Sequence, residues 1–175
     1  MSARASGGVA LGPIATEEAW QRAKAAPPPQ REVLLFGVGG QECGLEIQRI
    51  REIIKARPAT EVPRVPRFVV GVISARGVVV PVLDVRMRIE GVPTVPGPQA
   101  RYLIVERDEE RFGLLVADVR QVDRFVEAEV EPPPPALAGS DEFIAGIGRR
   151  AGRMVVLLQL DALLRFEVAG AGRAS

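Results

Sequence analysis

An internal repeat constrains this chain more than any other feature of its sequence. Displaced by 69 positions, Leu34-Leu35-Phe36 falls on Leu103-Ile104-Val105, and Gly44-Leu45 falls on Gly113-Leu114. The same displacement puts Ile47 on Val116, Ile50 on Val119 and Ile53 on Val122. Displaced by 75, Phe68 falls on Phe143, Gly71 on Gly146, Gly77 on Gly152, Val80 on Val155 and Val82-Leu83 on Leu157-Leu158. The extra residues fit in the Pro-rich loop from Pro132 to Ser140. Two units of roughly 65 residues, 31–98 and 99–166, therefore share one strand–turn–strand plan. Short strands with one buried face close best as a small barrel, because closure removes exposed edges. A single barrel of this size has a marginal core, so two packed together are expected, with a groove between them.

The elements follow from local patterns. Val33-Leu34-Leu35-Phe36 is an apolar strand, and Gly37 to Gly40 is a turn. Ile47, Ile50, Ile53 and Ile54 suit either a helical turn or a bent strand, and periodicity does not choose between them. Pro58, Pro63 and Pro66 mark a loop with at most an edge strand. The most hydrophobic stretch, Phe68 to Val85, approaches the length of a membrane span. Gly71, Gly77 and Pro81 interrupt it and Val dominates it, so two buried strands turning at Arg76-Gly77 are expected. Leu160 to Phe166 reads as a final strand leading into a short helix. Upstream, Met1 to Pro13 is Gly-rich and aperiodic, while Thr16 to Ala25 predicts a short helix capped by Thr16 and ended by Pro27-Pro28-Pro29. Trp20 either docks that helix on the body or belongs to a frayed arm. Residues 167–175 are expected as a flexible tail. The first thirty residues hold no apolar signal segment, which predicts a soluble, cytosolic chain.

Composition excludes most chemistry. The 175 residues include no His and one Cys. No Ser-His-Asp triad, Cys-His dyad, His-ligated metal site or intrachain disulfide can be built. With 23 basic and 22 acidic residues, the chain lacks the field that non-specific nucleic-acid binding needs. A pair of small barrels binding single-stranded nucleic acid is the rival class, but six Phe, one Tyr and one Trp within apolar runs make poor stacking platforms. Units 31–98 and 99–166 carry opposite net charge, which suggests attraction between barrels or a bipartite surface. Gly146-Ile147-Gly148-Arg149-Arg150-Ala151 matches a dinucleotide pattern, yet the strand Met154 to Leu158 follows it where a helix is required. Asp108-Glu109-Glu110 reads as a hairpin tip, and Cys43, aligned with Phe112, as a packing position. Asp84 and Asp161 both follow buried runs, but nothing local joins them as acid and base. No catalytic residue, metal or cofactor is expected.

Two sets of residues remain. Arg76 is a charge within a very apolar hairpin and must reach water or a partner. Gly77 permits the turn there. Ile47, Ile50, Ile53 and Val119 are either core or the walls of a groove between barrels that accepts a partner helix.

From about Val33 to Leu164 the chain resembles the CheW-type chemotaxis coupling proteins. The motifs are Phe68-Val69-Val70-Gly71-Val72-Ile73-Ser74-Ala75-Arg76-Gly77, Val79-Val80-Pro81-Val82-Leu83-Asp84-Val85, Phe112-Gly113-Leu114-Leu115-Val116-Ala117-Asp118-Val119 and Phe143-Ile144-Ala145-Gly146-Ile147. The resemblance implies an all-β fold of two five-stranded SH3-like barrels, here with a short N-terminal and a short C-terminal helix. It implies no enzyme activity. Such proteins bridge the cytoplasmic tip of methyl-accepting chemoreceptors and the regulatory domain of a CheA-type histidine kinase, meeting the membrane only through receptors. The family's receptor groove maps onto Ile47, Ile50, Ile53 and Val119, and its Arg-Gly turn onto Arg76 and Gly77. Ser74-Ala75 stands where the family usually has Asn-Leu, and Cys43 where it usually has an aromatic. A kinase-binding regulator without receptor coupling is the alternative.

Overall fold

A computed structural model describes residues 17–22, 28–137 and 141–166. Residues 17–22 form a helical segment, α1, within the expected 16–25; the ends of that span, like the 167–175 tail, lie outside the described residues. Trp20 is 62% exposed, so it does not dock α1 on the body.

The first unit contains β1 (Gln30–Val38), β2 (Gln41–Glu46), a 3-10 turn (Ile47–Arg49), β3 (Ile50–Lys55), β4 (Val69–Ala75), β5 (Val78–Asp84) and α2 (Val85–Glu90). The second contains β6 (Arg101–Arg107), β7 (Glu110–Val116), β8 (Asp118–Val126), β9 (Ile144–Arg150), β10 (Arg153–Leu158) and α3 (Leu160–Leu163). The Ile47–Ile54 ambiguity resolves as both options in succession, a helical turn and then a strand. Helix α2 was not legible as a helix; it forms because Asp84 caps it, accepting from the Met87 N–H at 3.3 Å. Among the described residues no helix is long and apolar enough to cross a membrane.

The sheets cut across the repeat. One runs β8-β1-β2-β10-β9 and the other β3-β6-β7-β5-β4. Replacing each strand by its repeat mate converts one order into the other. The simplest arrangement of the repeat, one barrel per unit, is therefore not how the chain folds: each sheet draws strands from both units. Four strand pairs join the units: β8 on β1 and β3 on β6 are antiparallel, while β10 on β2 (Leu157↔Gly44) and β5 on β7 (Val82↔Gly113) are parallel, a pairing no hairpin can supply. It follows that the charge difference between units is not a charge difference between barrels.

Burial explains the apolar runs. Along β1, Val33 and Leu35 pack inside one barrel with Phe125, Val155 and Leu157, while Leu34 and Phe36 point the other way. Leu34, Phe36 and Leu45 there meet Leu83, Leu103, Val105 and Leu114 of the other sheet, forming a seam between barrels. Tyr102, Ile104, Val80, Val82 and Ile73 fill the second barrel. Strands covered on both faces need continuous hydrophobic runs, not alternation. Arg88 on α2 locks the seam's end. It donates to the carbonyls of Ala162 and Leu163 in α3 and of Arg165 just beyond it, and its guanidinium lies over the rings of Phe68 and Phe143.

Four hairpins turn on two residues that both have positive φ: Gly39-Gly40, Arg76-Gly77, Asp108-Glu109 and Ala151-Gly152. This backbone matches the right-handed twist of the flanking strands. Gly71 answers a different need. Thr60 bridges Val72 through two 2.8 Å hydrogen bonds, so a Cβ at Gly71 would collide with the Thr60 carbonyl oxygen. Gly71 also holds a φ of 154°. Its mate Gly146 sits beside the matching Glu131↔Ile147 bridge. Gly71→Ala is expected to cost about 2–4 kcal/mol, the range of overpacking combined with backbone strain. Urea unfolding at an unchanged midpoint would count against that account.

Candidate functional site

The repeat places Ile50 and Val119 at equivalent positions. Ile50 pairs with Val105 on β6, and Val119 with Phe36 on β1. Both are half-buried and pack, with Ile47, against the seam. Ile53 behaves differently. It lies opposite Leu103, a seam residue, yet is 40% exposed. Its mate Val122 lies opposite Leu34 and is 48% exposed. Directly opposed residues share a face of the sheet. Each of β3 and β8 thus carries an apolar strip that starts in the seam and ends in solvent. Val122 was missed as a candidate, although the displacement of 69 pairs it with Ile53.

Arg76 extends from its turn with φ 54° and a side chain 73% exposed. It is not a free cation. Its Nε donates to both Glu52 carboxylate oxygens, at 3.1 and 3.2 Å, and Nη2 lies 3.0 Å from Oε2. Glu52 is on β3 and Arg76 follows β4, the two outer strands of their sheet. The pair therefore helps close the sheet into a barrel. Arg57, donating to the Ser74 carbonyl, adds a second link. In the other barrel Arg150 and Asp123 join the outer strands at 2.8 Å. The Arg76 hydrogen bonds hold the Glu52 carboxyl below the usual carboxylate range. Sequence offered no signal for Glu52, because a partner 24 residues away is chosen only by barrel closure. The two strands of this hairpin are expected to be buried, but Val78 and Val79 are 42% and 67% exposed and give the turn at Arg76-Gly77 an apolar flank.

The remaining candidates have structural employment. Asp84 accepts from the Thr94 N–H at 2.7 Å and the Thr94 hydroxyl at 2.6 Å besides capping α2. Asp161 pairs with Arg49 at 2.9 Å. The two carboxylates are not an acid–base pair. Among the described residues no three His, Cys, Asp or Glu side chains come together as a metal-ligand set. Cys43 is buried in the seam, and burial pushes its thiol from an ordinary 9.0 up to about 12. The folded thiol stays protonated where an unfolded one ionises. Its contribution is therefore complete below about pH 9 and is lost as pH rises toward 12. Wild type is expected to lose more urea stability than Cys43→Ala between pH 8 and pH 11. Parallel losses would contradict it.

The model of the CheW-like domain matches residues 32–168. The chain belongs to the CheW-like family. It is 31% identical over 138 residues to the chemotaxis protein CheW of Rhizobium meliloti, covering 78% of this chain and 89% of that one. Identity to the Helicobacter pylori chemotaxis protein CheW is 28% over 130 residues, covering 74% and 79%. The protein FrzA of Myxococcus xanthus is 29% identical over 139 residues, covering 78% and 87%. The crystal structure of the scaffolding protein TtCheW from Thermoanaerobacter tengcongensis superposes with a TM-score of 0.73 at 30% identity, covering 82% of this chain and 92% of that one. The two five-stranded sheets are the SH3-like barrels of the CheW fold.

Proposed function

We propose that this CheW-like chain is a non-enzymatic adaptor that couples methyl-accepting chemoreceptors to a CheA-type histidine kinase, working at the cytoplasmic face and reaching the membrane only through receptors. The observation that carries the reading is the pair of apolar strips that leave the seam and end exposed at Ile53 and Val122. A helix laid across the seam would bury its apolar face against Ile47, Ile50, Ile53 and Val119. The Arg76 turn supplies a cation tied through Glu52 to β3, the strand that carries Ile53. The regulatory domain of the kinase would take other surfaces.

The test is kinase autophosphorylation in membranes reconstituted with receptors and a CheA-type kinase from the same genome. Wild type should activate strongly. Ile53→Asp should reduce receptor binding about tenfold, the loss of a central interface anchor. Because Ile53 is exposed, its thermal unfolding should be nearly unchanged. Ile50→Asp is a poorer test, since Ile50 packs on the seam and a carboxylate there destabilises the fold itself. Kinase binding without activation by the wild type would favour a sequestering regulator.

A further inference from the structure

Between α2 and β6 the chain reads Gly91-Val92-Pro93-Thr94-Val95-Pro96-Gly97-Pro98-Gln99. Each proline fixes its own φ near about −65° and drives the residue before it to extended backbone. That covers every residue from Val92 to Pro98 except Thr94. Residues 92–97 accordingly form no helix, strand or turn. Polyproline II is the conformation open to such a segment.

The segment is clamped at three points. Gly91, at φ 75°, ends α2 with its N–H on the Met87 carbonyl at 2.9 Å. The Ala100 N–H donates to the Gly97 carbonyl at 3.1 Å and closes the other end. In the middle, buried Asp84 takes both the N–H and the hydroxyl of Thr94. A polyproline II helix repeats every three residues. Thr94 then lies on the inward ridge, Val92 and Val95 on a second, and Pro93 and Pro96 on a third. The burial pattern agrees: of residues 91–99 only Thr94 is not exposed, and Val95 is 87% exposed. Two Val-Pro pairs, three residues apart, are held out from the body by a buried carboxylate.

We propose that this loop is a docking ligand, a pre-ordered Val-Pro-x-Val-Pro segment read by an aromatic-lined groove of the polyproline-recognising class on a partner protein. Proline rings and valines pack on aromatic faces, and polyproline II leaves its carbonyls free for donors in such a groove. Anchoring by Asp84 removes much of the ordering cost that a free peptide incurs on binding. No residue from 91 to 100 is charged, so the loop offers no ion pair to the groove and binding should be insensitive to salt.

The test uses the full chain, labelled with 15N and titrated with two purified probes, an SH3 domain and a WW domain that bind Pro-x-x-Pro peptides. At least one should produce saturable shift changes confined to residues 91–100, alike at low and high salt. Pro93→Ala with Pro96→Ala should weaken binding at least about tenfold while leaving the barrel resonances in place. Thr94→Val keeps both Val-Pro pairs and loses the hydroxyl anchor; it should weaken binding about threefold or more. No saturable change with either probe up to millimolar concentration, changes mapping outside the loop, or equal binding by the double proline variant would overturn the proposal. Neither receptor nor kinase takes part, so the result is independent of the adaptor reading.

Discussion

Arg76→Glu abolishes receptor-dependent kinase activation and leaves a folded protein: that is the expected outcome of the most direct test of the proposed coupling role. The side chain is 73% exposed and belongs to none of the three hydrophobic clusters, so the reversal removes no core packing. It replaces an attraction across the barrel's closing edge by two facing carboxylates, at Glu52 and at position 76. An exposed pair contributes little to stability, and circular dichroism should be almost unchanged. A partner that reads the guanidinium loses a charged anchor and meets repulsion, so activation should fall at least about tenfold. The double variant Arg76→Glu with Glu52→Arg separates two explanations. It restores the closing pair with its charges exchanged but moves the cation from the turn to β3. If the partner reads the cation at the turn, activation stays low. Recovery to wild-type activity would show that only the intact pair matters, and full activity of Arg76→Glu alone would remove Arg76 from the coupling surface. The assay belongs near neutral pH. Arg76 depresses the Glu52 carboxyl, so the pair is intact above the usual carboxylate range and is lost only as pH falls through the lowered value.

Neither repeat unit is expected to fold by itself. A chain of residues 28–98 retains β1, β2, β3, β4 and β5, but the sheets then separate into the β1–β2 hairpin, an unpaired β3 and the β4–β5 hairpin. Isolated hairpins are marginal in water at best. Phe36, Leu83, Leu103 and Leu114, buried at 1% exposure or less, face across the seam and would lose their partners. The fragment should show no cooperative unfolding transition and no dispersed NMR spectrum. The same holds for 99–166. Mixed together, the two fragments should assemble one to one, because the cut falls in the exposed loop after α2 and leaves every strand pair available. A fragment of either unit with a native-like spectrum would refute the interleaved topology.

Several parts of this structure were legible because they rest on local chemistry. Gly77 and Gly152 announce turns whose backbone other residues adopt at a cost. The runs Val33–Phe36 and Val80–Leu83 announce strands covered on both faces. Cys43, aligned with Phe112, was placed in a core and is there. The misses share a different cause. Val78 and Val79 look as buried as Val80 in sequence, yet they lie at the hairpin-tip end of β5 and stay in solvent, while Leu83 at its other end is in the seam. Glu52 looks like any strand carboxylate until barrel closure brings Arg76 to it. Ile50 and Ile53 are the same residue type on one strand, yet one packs on the seam and the other does not.

By itself, the sequence determined the repeat, its main apolar strands and turns, the absence of His-based chemistry, and the resemblance to the CheW-type family from which two five-stranded barrels were expected. Only the tertiary structure decided which strands share a sheet. The physical reason lies in the repeat. β2 and β7 are locally interchangeable, as are β5 and β10, so hydrogen bonding alone does not distinguish a barrel made within one unit from a barrel that borrows across units. The choice belongs to the seam, where the outward faces of β1 and β6 bury each other. That contact joins residues about seventy positions apart along the chain, and no local pattern records it.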